Sequence, residues 1–217
     1  MASSESLAQK RHIILAAAEK VFSHRGYAAT TMDAVAAEAG ISKGNIYNHF
    51  KSKEELFKVV FAEAVSGGEA GALAIMAQNP PAGQKLDRLL DFWFERLSYT
   101  KRIGRLVLEF WATAARQEQG ELAKAFADMY SRFRGVLVQV LSEGVRCREF
   151  AAGLNAPVAA SLILAMLDGI QVQSVLDYGA KFDADYLAAL KRAIMAALSA
   201  ASPQPQVQQA TQPRQSA

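Results

Sequence analysis

Only one cysteine, Cys147, occurs among the 217 residues, so no disulfide can form within the chain. A chain without a disulfide framework fits a reducing compartment, and we expect a cytoplasmic location. The three histidines, His12, His24 and His49, include no pair with the spacing of a metal site, so we predict no metal and no zinc enzyme.

Catalytic motifs are also missing. The sequence has no phosphate-binding P-loop, no G-x-S-x-G and no plausible Cys-His nucleophile pair. Neighbouring carboxylates such as Glu54 and Glu55 look like ordinary helix starts. We therefore expect no enzyme and no cofactor. The formal net charge is only +3, so any attraction to nucleic acid must be local.

Long uninterrupted apolar runs are absent as well. The richest one, APVAASLILAMLDGIQVQSVL, is interrupted by Asp168 and two glutamines, which favours a buried helix over a membrane span. No segment alternates like a strand, whereas apolar residues recur at helical spacing in four long segments. The pattern predicts an all-α chain. The Pro- and Gln-rich residues 201–217 have no apolar face and are predicted to be a disordered tail.

The segment around residues 30–56 has the helix start and stop signals of a helix-turn-helix. Thr30 or Thr31 is a candidate cap for one short helix, which Gly40 ends, and Ser42 caps the next. With Ser42 as the cap, Ile41 and Ile46 occupy the hydrophobic staple positions. A third helix start follows within a few residues, where Ser52 and Glu55 match a capping box.

The second short helix has features that a core helix does not need. Lys43, Lys51 and Lys53 occur without an acidic residue in 41–53, so its edge is predicted to be basic. Lys53 at a helix start is unfavourable unless an anion lies there. Gly44 costs about 1 kcal/mol in a helix but lets a backbone approach a phosphate. Asn45 and Asn48 carry both donors and acceptors, as base reading in a major groove requires.

The run TTMDAVAAEAGISKGNIYNHFKSKEELF closely resembles the DNA-binding segment of TetR-family transcriptional regulators. The match spans roughly residues 10–60. The resemblance implies the architecture of that family, a three-helix helix-turn-helix domain followed by a helical ligand-binding and dimerisation domain. Accordingly, we predict a DNA-binding domain at 1–52 and a ligand-binding and dimerisation domain at 53–200. The resemblance implies phosphate contacts near Thr31, Lys43, Tyr47 and Lys53. The complete set of predicted DNA-binding residues is Thr31, Ser42, Lys43, Gly44, Asn45, Tyr47, Asn48, His49 and Lys53.

The second domain is rich in aromatic residues, which would line an apolar pocket if the helices that carry them converge. Core packing is the simpler explanation for any one of these rings. Asp168 interrupts an apolar helix, so it either has an internal partner or receives a donor or cation from a ligand. Glu109 is expected to flank the aromatic pair Phe110 and Trp111. The predicted ligand-binding residues are Trp93, Phe94, Phe110, Trp111, Met129, Phe133, Met166, Asp168 and Gln171.

One short recognition helix contacts too few base pairs to be specific, so we expect a homodimer on a palindromic double-stranded operator. The candidate interface combines Leu187, Leu190, Ile194 and Leu198 with Leu162, Met166 and Ile170 in a four-helix bundle. The resemblance implies a repressor released from DNA by a small hydrophobic or aromatic effector. Two alternatives remain open at this point: a helical enzyme acting on an apolar substrate, and a ligand-free DNA-binding dimer.

Overall fold

The computed structural model describes residues 2–102, 104–116, 120–177 and 179–200, and all regular structure in these ranges is helical. The all-α prediction is therefore confirmed. The predicted tail at 201–217 lies outside the described residues. In chain order the helices are α1 (Ala2–Ala29), α2 (Met32–Glu38), α3 (Lys43–His49), α4 (Lys53–Ala77), α5 (Ala82–Arg102), α6 (Gly104–Arg116), α7 (Glu121–Arg146), α8 (Ala156–Leu176) and α9 (Ala184–Ser199).

Several helices begin where a side chain satisfies a free backbone N–H of the first turn. Thr31 caps α2, Ser42 caps α3 and Ser52 caps α4, each accepting from the N–H three residues on. Asn155 and Asp183 do the same for α8 and α9. These hydrogen bonds use donors that have no partner within the helix, so they set where each helix starts.

Helix α4 runs unbroken through the glycine-rich segment 67–71. The glycines permit close packing against α5. A Cβ at Gly71 would collide with the ring of Phe92, and one at Gly67 would lie 3.1 Å from the guanidinium of Arg96. The small residues are therefore retained because two large side chains of α5 lie against this part of α4.

Two apolar clusters form the core. The first joins α1–α4 to α6 and α7, and the second joins α5, α7, α8 and α9 to the end of α4. The first cluster crosses the predicted boundary at residue 52, since Phe57 and Phe61 of α4 pack with Phe22 of α1 and Phe110 of α6. The predicted DNA-binding segment is thus joined to the rest of the chain by shared apolar packing.

Two helices, α4 and α8, are long and apolar enough to cross a membrane by length and composition alone. In α8 one side packs into the second cluster, with Ala160, Ile163 and Leu167 buried. Burial of this kind is expected of a core helix, and it agrees with the interpretation of α8 as a core element. The opposite side of α8 leaves Val158, Leu162 and Met166 exposed, and we call these three residues the α8 outer face.

Candidate DNA-binding surface and ligand cavity

Helices α2 and α3 form the predicted helix-turn-helix. Helix α2 ends at Glu38 with Ala39 as its C-cap, and Gly40 then adopts φ +68°, the left-handed conformation that glycine tolerates at a helix end. Ser42 starts α3 only two residues later. The short turn holds the two helices in contact, as a helix-turn-helix requires.

Helix α3 turns one side to the core and leaves the other outside. Ile46 and Phe50 are fully buried against α1 and α2, as the staple pattern predicts. Tyr47 is 45% exposed, and Asn48 is exposed beside it. Asn45 and His49 are partly buried. Of the predicted DNA-binding residues, Thr31, Ser42, Lys43, Gly44, Tyr47 and Asn48 are therefore exposed in this structure.

The edge of α3 is less basic than the sequence indicates, because α2 supplies an acid. The Lys43 ammonium lies 2.8 Å from the Asp33 carboxylate, and both side chains are well exposed. This hydrogen bond raises the pKa of Lys43 above its ordinary value. An exposed pair of this kind contributes little stability, so a phosphate can compete for the lysine at small cost.

The second basic position, Lys53, has partners within the chain. Its ammonium donates to the carbonyl oxygen of Tyr27 at 2.8 Å and to that of Ala28 at 3.3 Å. It also lies 4.4 Å from the centre of the Tyr27 ring. The carbonyl oxygens at the end of α1 therefore explain a cation at this helix start, and the anion inferred from the sequence is not needed for that purpose.

Gly44 has no internal reason to be glycine. A Cβ built on it meets nothing within 4 Å, and its backbone is ordinary helix. Nothing in the described chain therefore prevents a side chain at this position, although glycine costs helix stability. The predicted close approach of DNA backbone to α3 would explain the glycine.

Gly44→Ala is expected to stabilise the fold by about 1 kcal/mol while weakening DNA affinity about tenfold, the size of one lost hydrogen bond to a charged group. Thermal unfolding and a fluorescence anisotropy titration with duplex DNA measure the two effects. Gly135→Ala, also in a helix with nothing within 4 Å, is the control and should stabilise without changing DNA affinity. DNA binding unchanged in Gly44→Ala would contradict the close approach.

Helix α6 holds the end of α1 through a carboxylate. Glu109 accepts a hydrogen bond from the backbone N–H of Tyr27. The preceding residue, Gly26, interrupts the helical backbone of α1 with φ +77°, and a Cβ there would collide with the same carboxylate. Glu109 was expected beside the pocket aromatics, but it faces the DNA-binding segment instead. Sequence analysis missed this role because residues 27 and 109 are far apart in the chain.

A continuous aromatic stack follows the same path. The ring of Tyr27 lies 4.4 Å from that of Phe57, measured between centres, and Phe57 lies 4.0 Å from Phe110. Phe110 in turn lies 4.3 Å from Phe61. Rings packed this closely transmit displacement, because protein interiors have few voids. The stack therefore connects the DNA-binding segment to the residues around Phe110.

A cavity of about 190 Å³ lies beyond Phe110, between α4, α5, α6, α7 and α8. This exceeds the roughly 150 Å³ of an engineered cavity that binds benzene, so an aromatic ring fits. Most of its walls are apolar. The residues lining it are Phe61, Gly68, Ala72, Leu89, Leu90, Phe92, Trp93, Arg96, Val107, Phe110, Trp111, Phe126, Met129, Tyr130, Phe133, Val136, Leu137, Leu164, Leu167, Asp168 and Gln171.

The cavity brings together seven of the nine predicted ligand-binding residues: Trp93, Phe110, Trp111, Met129, Phe133, Asp168 and Gln171. Phe94 and Met166 are not among its lining residues. Met166 belongs to the α8 outer face and is 40% exposed, because α8 turns the Asp168 side to the cavity. Phe94 lies outside the part of α5 that lines the cavity, which carries Leu89, Leu90, Phe92, Trp93 and Arg96. The polar lining residues that the prediction omitted are Arg96 and Tyr130.

Asp168 has an internal partner, as one of the two sequence-based alternatives proposed. The hydroxyl of Tyr130 donates to its Oδ1 at 2.9 Å. Burial raises the pKa of Asp168 above its ordinary value, and the hydrogen bond from Tyr130 opposes that shift. Burial and the nearby carboxylate also raise the pKa of Tyr130, so the phenol remains protonated. Within the described ranges no cation pairs with Asp168.

Nothing in the described part of the chain resembles a metal centre, since no group of three His, Cys, Asp or Glu side chains converges there. The surface around α3 and the cavity around Trp93 and Trp111 are the two candidate sites. The aromatic stack runs from Tyr27, at the end of α1, to Phe110 in the cavity wall.

Two protein families match this chain. Residues 14–60 match the bacterial regulatory proteins of the tetR family. Residues 82–210 match the BetI-type transcriptional repressor, C-terminal family. The first match includes α2 and α3, and the second begins with α5 and covers the helices that carry most of the cavity lining.

Individual proteins agree with these families. The HTH-type transcriptional activator FasR of Mycolicibacterium smegmatis is 30% identical over 155 residues, covering 68% of each chain. The HTH-type regulator YhgD of Bacillus subtilis is 41% identical over 81 residues, 37% of this chain and 42% of that protein. The crystal structure of FadR from Bacillus subtilis in complex with stearoyl-CoA is 23% identical, covers 87% of this chain and 97% of that one, and has a TM-score of 0.71. At that identity the likeness shows a shared fold.

Proposed function

Since this chain belongs to the TetR family of DNA-binding transcriptional regulators, we propose that it is a cytoplasmic homodimeric repressor. It binds a palindromic operator and is released by a small apolar or aromatic ligand. The observation that carries this proposal is the cavity: its apolar wall includes Phe110, which stacks on Phe57 and through it on Tyr27 of the DNA-binding segment.

The chemistry of the lining supports an apolar ligand. Eight aromatic and eight aliphatic side chains surround the space, and few polar groups interrupt them. Such pockets bind ligands by removing apolar surface from water. The FadR structure with stearoyl-CoA is consistent with this class. A volume of about 190 Å³ is below the usual 300–1,000 Å³ of ligand pockets, so a small ligand or one end of a longer one is proposed.

The ligand changes DNA affinity only if it prefers one arrangement of the two DNA-binding domains of the dimer. Equal binding to both arrangements would shift nothing, however tight it is. Phe110 and Glu109 are adjacent on α6, so we propose that a ligand that shifts α6 at the Phe110 ring also shifts the carboxylate that holds Tyr27. We propose that this movement disfavours the DNA-binding arrangement.

The sign of regulation is proposed as repression. The C-terminal family match is to BetI-type repressors, whereas FasR is named an activator. Repression follows if the protein occupies the promoter without its ligand. The test is transcription from a promoter that carries the operator, which the protein should reduce and an effective ligand should restore.

The dimer is proposed to form through the α8 outer face. Val158, Leu162 and Met166 lie four residues apart and form an exposed apolar stripe on the single chain. The predicted stripe on α9 is different, because Ile194 and Leu198 are buried in the second cluster of the same chain. Ile170 is likewise buried. Alanines occupy the outward side of α9 and allow a second copy to approach closely.

Ligand binding is expected to change tryptophan emission and DNA affinity together. Trp93 and Trp111 are the only two tryptophans, and both line the cavity. Selection from random duplexes supplies the operator, and a library of small apolar compounds is then titrated in both assays. Trp111→Phe leaves Trp93 as a single reporter and is the control for the emission change.

Two outcomes would favour the alternatives. DNA binding without any compound that changes emission or affinity would favour a ligand-free DNA-binding dimer. Failure to bind any duplex, together with conversion of an apolar substrate, would favour a helical enzyme. The proposed regulator requires both DNA binding and a ligand that weakens it.

A further inference from the structure

The cavity has one acidic side chain in an otherwise largely apolar wall. Asp168 of α8 lies beside Gln171, one turn further along the same helix, and opposite Tyr130 of α7. A carboxylate removed from water is costly unless other groups compensate its charge. The only hydrogen bond to Asp168 among the described side chains comes from the Tyr130 hydroxyl, which is neutral.

The Tyr130 hydroxyl fixes the position of the carboxylate without neutralising it. A phenol donates one hydrogen, and here that hydrogen points to Oδ1 at 2.9 Å. The carboxylate can accept several further hydrogen bonds, because each oxygen has two lone pairs. Asp168 is therefore held at the cavity wall as an oriented acceptor with capacity left for a donor inside the cavity.

Among the described lining residues the cationic side chain is that of Arg96, which belongs to a different side of the cavity. Its guanidinium lies against α4 at Gly67 and Gly68 and 5.7 Å from the centre of the Phe92 ring. Among the described residues no salt bridge joins Arg96 to Asp168. The charge of Asp168 is thus not offset by the arginine at hydrogen-bond range, although both residues line the same cavity.

The walls next to Asp168 favour a cation. Trp111 and Tyr130 also line the cavity, and aromatic faces attract ammonium groups through their quadrupoles. An amine with an apolar body would place its charge at the carboxylate and its body among the remaining rings. A carboxylate ligand in that orientation would meet a like charge, and a neutral alcohol would leave the charge of Asp168 uncompensated.

We propose that the cavity selects ligands with a primary or secondary ammonium at one end of an apolar or aromatic body, and that Asp168 accepts the ammonium hydrogen bond. This rests on the proposed function, since it assigns a chemical class to the ligand of the same cavity. Tyr130 is a positioning residue that orients the carboxylate.

Three probes with the same phenylpropyl body test the assignment: 3-phenylpropylamine, 3-phenyl-1-propanol and 3-phenylpropanoate. At neutral pH the amine is cationic and the acid anionic. Isothermal titration calorimetry on the full chain should show that the amine binds at least about tenfold more tightly than the alcohol. The acid should bind most weakly. Equal affinities, tighter binding of the acid, or no binding of any probe would overturn the proposal.

Asp168→Asn separates charge from shape. The amide has nearly the same size and still accepts a hydrogen bond from Tyr130, but it carries no charge. The variant should lose the amine preference while binding the alcohol as wild type does. Tyr130→Phe keeps the charge but removes the hydrogen bond that orients the carboxylate, so it should weaken the amine preference without abolishing it. An amine preference that persists in Asp168→Asn would overturn the assignment. If that variant fails to fold, the three wild-type affinities still decide.

DNA release is measured separately with the same probes. If the alcohol releases DNA and the amine is not preferred, the ligand class is wrong and the proposed function stands. If the amine is preferred through Asp168 and no probe or other compound releases DNA, the ligand class stands and the proposed function fails. The two results are therefore distinguishable.

Discussion

Leu162→Glu is expected to convert the protein to monomers at micromolar concentration and to weaken operator binding by about a hundredfold or more. Leu162 lies at the centre of the α8 outer face and is 60% exposed on the single chain. A carboxylate there would be buried without a partner in a dimer, whereas it stays hydrated in the monomer. Because two linked DNA-binding domains gain about 10²–10⁴ in affinity over one, loss of the dimer removes that gain.

Sedimentation equilibrium gives the oligomeric state, and anisotropy with operator DNA gives the affinity. Leu73→Glu is the matched control, since Leu73 is also an exposed leucine, at 55%, but lies on α4. It should remain dimeric and bind DNA normally. Leu190, which the sequence analysis included in the interface, packs partly within its own chain and is a poorer test. A monomeric wild type, or a dimeric Leu162→Glu, would contradict this interface.

Gly26→Ala is expected to lower the melting temperature by roughly 5–15 °C and to abolish most DNA binding. The left-handed conformation at Gly26 costs a non-glycine residue about 1–3 kcal/mol. The new Cβ would also collide with the Glu109 carboxylate, the flexible end of its side chain, which would have to move. Displacing Glu109 removes the hydrogen bond to Tyr27 that holds the DNA-binding segment against α6.

A double substitution separates the backbone strain at residue 26 from the collision with Glu109. Gly26→Ala with Glu109→Ala relieves the collision but retains the backbone strain, so it should be less destabilising than the sum of the two single changes. Thermal unfolding measures the stability, and anisotropy measures DNA affinity. Strictly additive effects would show that the two residues do not interact. A Gly26→Ala protein with wild-type melting and DNA affinity would contradict the role of this contact.

Helix starts were predictable because the interactions that determine them lie within three residues. The hydroxyls of Ser42 and Ser52 cap the helices that their positions indicate. The same holds for the buried side of α3, where Ile46 and Phe50 follow helical spacing. The family resemblance rested on this same segment, and the match of residues 14–60 agrees with it.

The cavity was predictable only in part. Seven of nine predicted residues line it, because large aromatic residues at helical spacing turn inward in most arrangements. Which neighbouring position faces the space depends on how α5 and α8 are rotated against the other helices. That rotation places Trp93 and Asp168 inside and leaves Met166 on the outer face of α8.

By itself, the amino-acid sequence determined the helical class, the capped helix starts and the helix-turn-helix segment, since short-range hydrogen bonds and apolar spacing specify them. Only the tertiary structure decided the partners of the charged residues. Asp33 forms an ion pair with Lys43. The carbonyl oxygen of Tyr27 accepts a hydrogen bond from Lys53, and the backbone N–H of Tyr27 donates one to Glu109. These groups are 10 to 82 residues apart. Their contact depends on how the helices pack, and the local pattern of residues does not predict that packing.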